Sequence, residues 1–192
     1  FVQISTSSVY GVEAMGDESA VLQPVNPYGV TKLAAENLAF TYHRVHGLPV
    51  VAIRYFSIYG PRQRPDMAYH RFIQAMLTNQ PISVYGDGEQ TRGITYIDDC
   101  VRGTVDAIAH ARSGEVYNLG GGVPISVNRA IEVLEDAIGT RAKRQYLPPR
   151  PGDQRNTLAN VDKARAHFGY VPRTDPQQGL PLQLEWQRRL QH

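Results

Sequence analysis

Apolar positions along this chain follow two periods. Residues 1–4 and 48–59 are short runs of Val, Ile, Leu and aromatics bounded by hydroxyl clusters, Gly or Pro, the pattern of buried strands. Between them Val30, Leu33, Ala34, Leu38, Tyr42 and Val45 recur at helical spacing, which predicts one helix over residues 26–47 with that face buried. Asn26 can cap its first amides, Pro27 suits the first helical position, and Gly47 closes the end.

Residues 12–25 carry no period and read as a loop, as does the basic, proline-rich PRQRPD at 61–66. Phe72, Ile73, Met76 and Leu77 predict an amphipathic helix over 67–79. Strands at 82–85 and 93–97 flank the turn GDGEQ, and Asp98 or Asp99 caps a helix reaching His110. A strand at 116–119, a helix at 126–138 ending at Gly139, a strand at 142–146, a loop at 147–156 and helices at 161–168 and 179–190 complete the reading. Strands and helices alternate, so the fold class is α/β with a parallel sheet. Two interleaved units are expected, residues 1–60 with 94–120, and residues 61–93 with 121–192.

Composition narrows the function. A chain of 192 residues can bury its own core, and a net charge of +2 leaves no footprint for nucleic acid or an acidic membrane. No apolar run is long enough to span a bilayer. Cys100 is the single cysteine, which rules out an intrachain disulfide and points to the cytoplasm. His43 and His46 share a helix without a third ligand nearby, so no metal site is expected. Gly120, Gly121 and Gly122 follow a strand but lack the spacing of a dinucleotide-binding turn.

The candidate chemistry lies at the first helix. Tyr28 and Lys32 are four residues apart and project from one face. An ammonium beside a phenol favours the phenolate, and a tyrosine so placed can serve as a base. Taken alone, the pair also fits a packed tyrosine and a surface lysine that happen to lie one turn apart.

The hydroxyl cluster Ser5–Ser8 at the end of the first strand, followed by this Tyr-x-x-x-Lys helix, resembles the extended short-chain dehydrogenase/reductase family. RYFSIYGPRQRPDMAYHRFI, VYGDGEQTRGITYIDD, VYNLGGG and PPRPGD extend the resemblance over nearly the whole chain, toward the nucleotide-sugar epimerases and dehydratases. The resemblance implies the second half of a Rossmann-like parallel sheet with a smaller substrate-binding unit. The Gly-rich dinucleotide half that normally precedes STSSVYG is absent, so the chain is expected to be a fragment or a truncated product. NAD would be the cofactor, a UDP-sugar the substrate, and the assembly a homodimer through the helix bearing Tyr28.

By the same resemblance Thr6, Tyr28 and Lys32 are the catalytic triad, and Tyr28, Lys32 and Tyr55 touch the cofactor. Ser7, Ser8, Ser57 and Arg64 would face the sugar, Met67, Ala68 and Tyr85 the uracil, and Arg92, Arg150 and Asp153 the diphosphate and ribose. Sugar 4,6-dehydratases place Asp and Glu where Ser7 and Ser8 stand, and UDP-glucuronate decarboxylases place Glu where Ser8 stands. The Thr-Ser-Ser trio therefore resembles UDP-glucuronate 4-epimerases, which usually carry Thr at position 57. Hydroxyls also suit a neutral hexose, so UDP-glucose/UDP-galactose epimerisation stays open. So does a non-catalytic nucleotide-sugar-binding or interaction protein. On the plainer reading Arg64 is a solvated loop arginine and Ser7 and Ser8 are turn hydroxyls. One departure stands out. The family usually reads Asp and an aromatic after Arg92, where this chain has Gly93 and Ile94, expected to loosen the strand and weaken diphosphate binding.

Overall fold

A computed structural model describes residues 1–149 and 155–190. In chain order the elements are β1 (Val2–Thr6), a 3-10 turn (Ser7–Val9), α1 (Pro27–His46), β2 (Val51–Tyr55), β3 (Ser57–Tyr59), α2 (Ala68–Leu77), β4 (Ile82–Tyr85), β5 (Thr91–Tyr96), α3 (Ile97–His110), β6 (Glu115–Leu119), β7 (Pro124–Ser126), α4 (Val127–Ile138), β8 (Arg144–Leu147), β9 (Asn156–Thr157), α5 (Asp162–Phe168) and α6 (Pro176–Arg189). The class is α/β, as the alternation of periods predicts.

The first sheet is parallel, in the order β1-β2-β6, with Val2 opposite Val51 and Val51 opposite Glu115. The apolar run at 48–59 is two strands rather than one. The chain turns at Phe56, whose amide donates to the Leu119 carbonyl at 3.0 Å, and β3 leaves to pair in parallel with β5. Gly120 makes room for the turn, since a Cβ there would lie 2.7 Å from the Phe56 Cβ. β5 also pairs with β7, antiparallel, and with β9, parallel, while β4 and β8 form a separate parallel pair. β7 and β9 have three and two residues, too few for a period to show in the sequence. Gly93 is buried within β5 and paired opposite Pro124.

Two apolar cores result. Val9, Tyr10, Ile53, Phe56, Tyr117 and Leu119 form the first, together with Ala159, Val161, Ala164 and Tyr170, which the expected division places in the second unit. Tyr59, Ile73, Ile94, Ile131, Leu134 and Leu180 centre the second. The C-terminal helix is tied into that second core. Gln183, fully buried, accepts from the Gly60 amide at 2.8 Å and donates to Gln63 Oε1 at 2.9 Å.

Two local expectations are corrected. α1 has the predicted caps: Asn26 Oδ1 accepts from the Gly29 amide at 2.8 Å, and Gly47 takes φ 66°. Its predicted apolar face is buried only at Leu33, which packs half-buried against the first core; Val30, Leu38, Tyr42 and Val45 are exposed while Gly29, Glu36 and Ala39 turn inward. Helical period marks a stripe but does not say what covers it. At α3 neither Asp98 nor Asp99 caps the helix; Tyr96 holds that position without a side-chain bond. Asp99 turns inward and accepts from the main-chain amides of Arg173 and Thr174 at 3.0 and 2.8 Å. Burial works against its charge, but these amides and Arg102 outweigh it and hold the carboxyl below its ordinary range.

Candidate active site

β1 ends in polar side chains that fold back on the main chain. Thr6 is buried, and its hydroxyl accepts from the Ser8 amide at 3.2 Å, capping the 3-10 turn, while it donates to the Ser8 hydroxyl at 3.3 Å. Ser7 and Ser8 are half-buried beside it.

α1 starts directly against this turn. A Cβ at Gly29 would stand 2.6 Å from the Ser8 carbonyl oxygen and 2.9 Å from the Pro24 Cβ, so only glycine lets the helix approach this closely. Tyr28, the residue before it, is 54% exposed and so available to a ligand. Lys32 Nζ donates to the Ile4 carbonyl at 3.1 Å and lies 5.9 Å from the centre of the Tyr28 ring. The structure thus groups Thr6, Ser7 and Ser8 at the base of the helix that presents Tyr28 and Lys32.

A buried ionic network fixes that helix. Glu36, one turn beyond Lys32, accepts from Arg54 Nε at 3.0 Å and from Arg54 Nη2 at 2.7 Å. Arg54 Nη1 also donates to the Tyr10 hydroxyl at 3.0 Å, and that hydroxyl donates to Asn118 Oδ1 at 2.7 Å. Burial opposes the charge on Arg54, but Glu36 outweighs it and pushes the guanidinium pKa up. Burial pushes the Tyr10 phenol up, against the pull of Arg54.

The other predicted residues surround a cavity of about 640 Å³ between α2, β4 and β5. Ser57, Met67, Ala68, Tyr85 and Arg92 all line it. Arg92 Nη1 donates to the carbonyls of Thr91 and Arg155 at 2.8 and 3.1 Å. Arg64 is not among the lining residues. It is exposed, pairs with Asp66 at 3.1 Å and reaches the Met67 sulfur at 3.7 Å, and those two partners do line the cavity. The Tyr55 hydroxyl turns to Thr104 on α3 at 2.8 Å, and burial pushes its pKa up. Arg150 and Asp153 lie outside the described residues.

A hydroxyl cluster at the end of β1, the exposed Tyr28 and Lys32 on the adjoining helix, and a cavity lined by Ser57 and Arg92 lie in one chain. The sequence pattern of the NAD dependent epimerase/dehydratase family matches residues 1–120. The chain belongs to this family. An uncharacterized UDP-glucose epimerase of Bacillus subtilis is 41% identical over 189 residues, which are 97% of this chain and 60% of that protein. A UDP-glucuronate 4-epimerase of Thermodesulfobacterium geofontis is 41% identical over 190 residues, 97% of this chain and 58% of that protein. The crystal structure of UDP-glucuronic acid 4-epimerase from Bacillus cereus with UDP-glucuronic acid and NAD superposes with a TM-score of 0.95 at 44% identity, covering 99% of this chain and 62% of that one. The chain thus spans about three fifths of the length of these three relatives.

Two features of this family site escaped the sequence reading. Gly29 sits inside the Tyr-x-x-x-Lys motif, where its closeness to Ser8 leaves no periodic signal. Gln63 and Gln183 hold the loop beside the cavity, and nothing in the pattern of either segment links residues 120 apart. Among the described residues, no three His, Cys, Asp or Glu side chains cluster as a metal site, and no helix is long and apolar enough to cross a membrane.

Proposed function

We propose that the protein carrying this chain epimerises UDP-glucuronate at C4 to UDP-galacturonate, with NAD as cofactor. The observation that carries this reading is the hydroxyl trio Thr6-Ser7-Ser8 packed through Gly29 against the helix presenting Tyr28 and Lys32. The relatives' names and the bound ligands of the Bacillus cereus structure support it.

The exposed Tyr28 phenol and the Lys32 ammonium beside it suit the nicotinamide end of NAD. When bound, NAD supplies the acceptor for the C4 hydride and returns it. Tyr28, as a phenolate steadied by the Lys32 ammonium, takes the proton of the C4 hydroxyl and becomes the phenol, and Thr6 holds the C4 oxygen. Oxidation at C4 of a glucuronate gives a β-keto acid prone to lose carbon dioxide. Ser7, Ser8, Ser57 and Arg64 fix the carboxylate so that its C–C bond stays out of line with the ketone π system. Arg64 reaches the ligand by giving up Asp66, an exposed ion pair of small worth. Arg92, Arg150 and Asp153 take the diphosphate and ribose, Met67, Ala68 and Tyr85 the uracil, and Tyr55 lies on the cofactor side. A second copy covers the exposed stripe Val30, Leu38, Tyr42 and Val45, giving a homodimer.

The test is product analysis by mass spectrometry with UDP-glucuronate and UDP-glucose, for the wild type and Arg64→Met. The wild type should prefer UDP-glucuronate. Arg64→Met should lose about tenfold to a hundredfold in affinity for UDP-glucuronate alone and leak a decarboxylated 4-keto pentose. Equal effects on both sugars without decarboxylation reject the glucuronate assignment in favour of the UDP-glucose/UDP-galactose reaction, which the Bacillus subtilis relative's name favours. UDP-sugar binding with no turnover of either substrate favours a non-catalytic binding protein.

A further inference from the structure

Gly93 lies buried in β5 with strands on both sides. Pro124 of β7 is its partner on one, and the chain leaving β9 passes it on the other. A Cβ on Gly93 would stand 2.7 Å from the Leu158 Cδ1, 3.3 Å from the Leu158 Cα and 3.4 Å from the Thr157 carbonyl oxygen. Its φ is outside the left-handed region, so space and not backbone conformation calls for glycine.

That close approach brings a hydrogen-bond acceptor to the cavity edge. The Arg155 carbonyl, just ahead of β9, accepts from the Thr91 amide at 3.0 Å and from Arg92 Nη1 at 3.1 Å. The Thr91 hydroxyl donates to Asn156 Oδ1 at 2.7 Å, and the Leu158 amide donates to the Ala14 carbonyl at 3.1 Å, so β9 is fastened on both sides. One nitrogen of the Arg92 guanidinium is therefore held by the carbonyl of Thr91 in β5 and that of Arg155 leading into β9, while the side chain lines the cavity.

We propose that Gly93 is a positioning residue for diphosphate recognition: by leaving β9 room to close on β5, it sets the carbonyl that orients Arg92. This inference rests on the assignment of Arg92 to the diphosphate made above.

The experiment is calorimetry of UDP and of uridine, which lacks the phosphates, on the full-length protein. The variants are Gly93→Ala, Arg92→Ala, the double substitution, and Asn156→Ala, which loosens β9 from the solvent side without crowding the core. Arg92→Ala should weaken UDP about tenfold to a hundredfold. Gly93→Ala and Asn156→Ala should weaken UDP about threefold to tenfold and leave uridine within about twofold, and Gly93→Ala should add nothing in the Arg92→Ala background. Equal losses for UDP and uridine, additive losses with Arg92→Ala, or unchanged UDP binding in both strand variants overturns the inference. If Gly93→Ala does not fold, Asn156→Ala decides it alone. A wild type that fails to bind UDP overturns the diphosphate assignment and the inference with it, whereas a binding wild type with indifferent strand variants overturns the inference only.

Discussion

Arg54 and Glu36 are each 3% exposed, so two full charges sit inside the first core and neutralise one another. Removing one partner strands the other in a low-dielectric site, which typically costs about 3–5 kcal/mol. Glu36→Leu should lower the unfolding free energy by that amount in urea titrations, and adding Arg54→Met should recover part of it. The carboxyls of Asp99 and Glu135 are held below their ordinary range by amides and arginines that outweigh the burial opposing their charge. A lowered folded value means that the folded state binds fewer protons. Its stabilisation is present above the unfolded value, about 4, and is lost as pH falls through the folded value. The urea midpoint should therefore drop in that acid window, and Asp99→Asn should flatten part of the drop. At this scale the sequence is legible where spacing sets local geometry, as for Tyr28 and Lys32, which share one face of α1. It is not legible for Arg54 and Glu36, because a charged residue reads as solvated until the fold brings its partner across.

α1 carries the proposed catalytic pair Tyr28 and Lys32, and Gly29 sets its distance from the Ser8 turn. Gly29→Ala would push the helix away from a carbonyl 2.6 Å from the added Cβ. A displacement approaching an ångström at a reacting group costs up to about a hundredfold. Steady-state kinetics should show kcat falling about tenfold to a hundredfold with KM within about threefold; a KM effect of the same size would mean that Gly29 serves ligand binding instead. The caps of α1 and the Gly139 end of α4 were readable because they depend on neighbours in sequence, as Asn26 does on Gly29. β7 and β9 were not, since each forms through pairing with residues far away in sequence, β5 above all.

Over the whole molecule, the α/β class and parallel pairing followed from alternating periods, whereas the division of the cores did not. Residues 159–170 join the first sheet because Val161, Ala164 and Tyr170 bury against it, a long-range choice that no local pattern encodes. The exposed stripe on α1 is the matching case at the surface. If the homodimer proposed above forms through this stripe, the wild type should sediment as a dimer and Leu38→Asp as a monomer, and equal sedimentation coefficients for the two would overturn that interface. The tie between Gln183 and Gly60 spans 123 positions, and the first core likewise draws on residues 159–170. Translation emits the chain from its N-terminus at about 5–20 residues per second. The second core must therefore wait for Gln183 to leave the ribosome and the first for residues 159–170, so β1 and the walls of the cavity stay unsealed until segments more than a hundred positions later have been made.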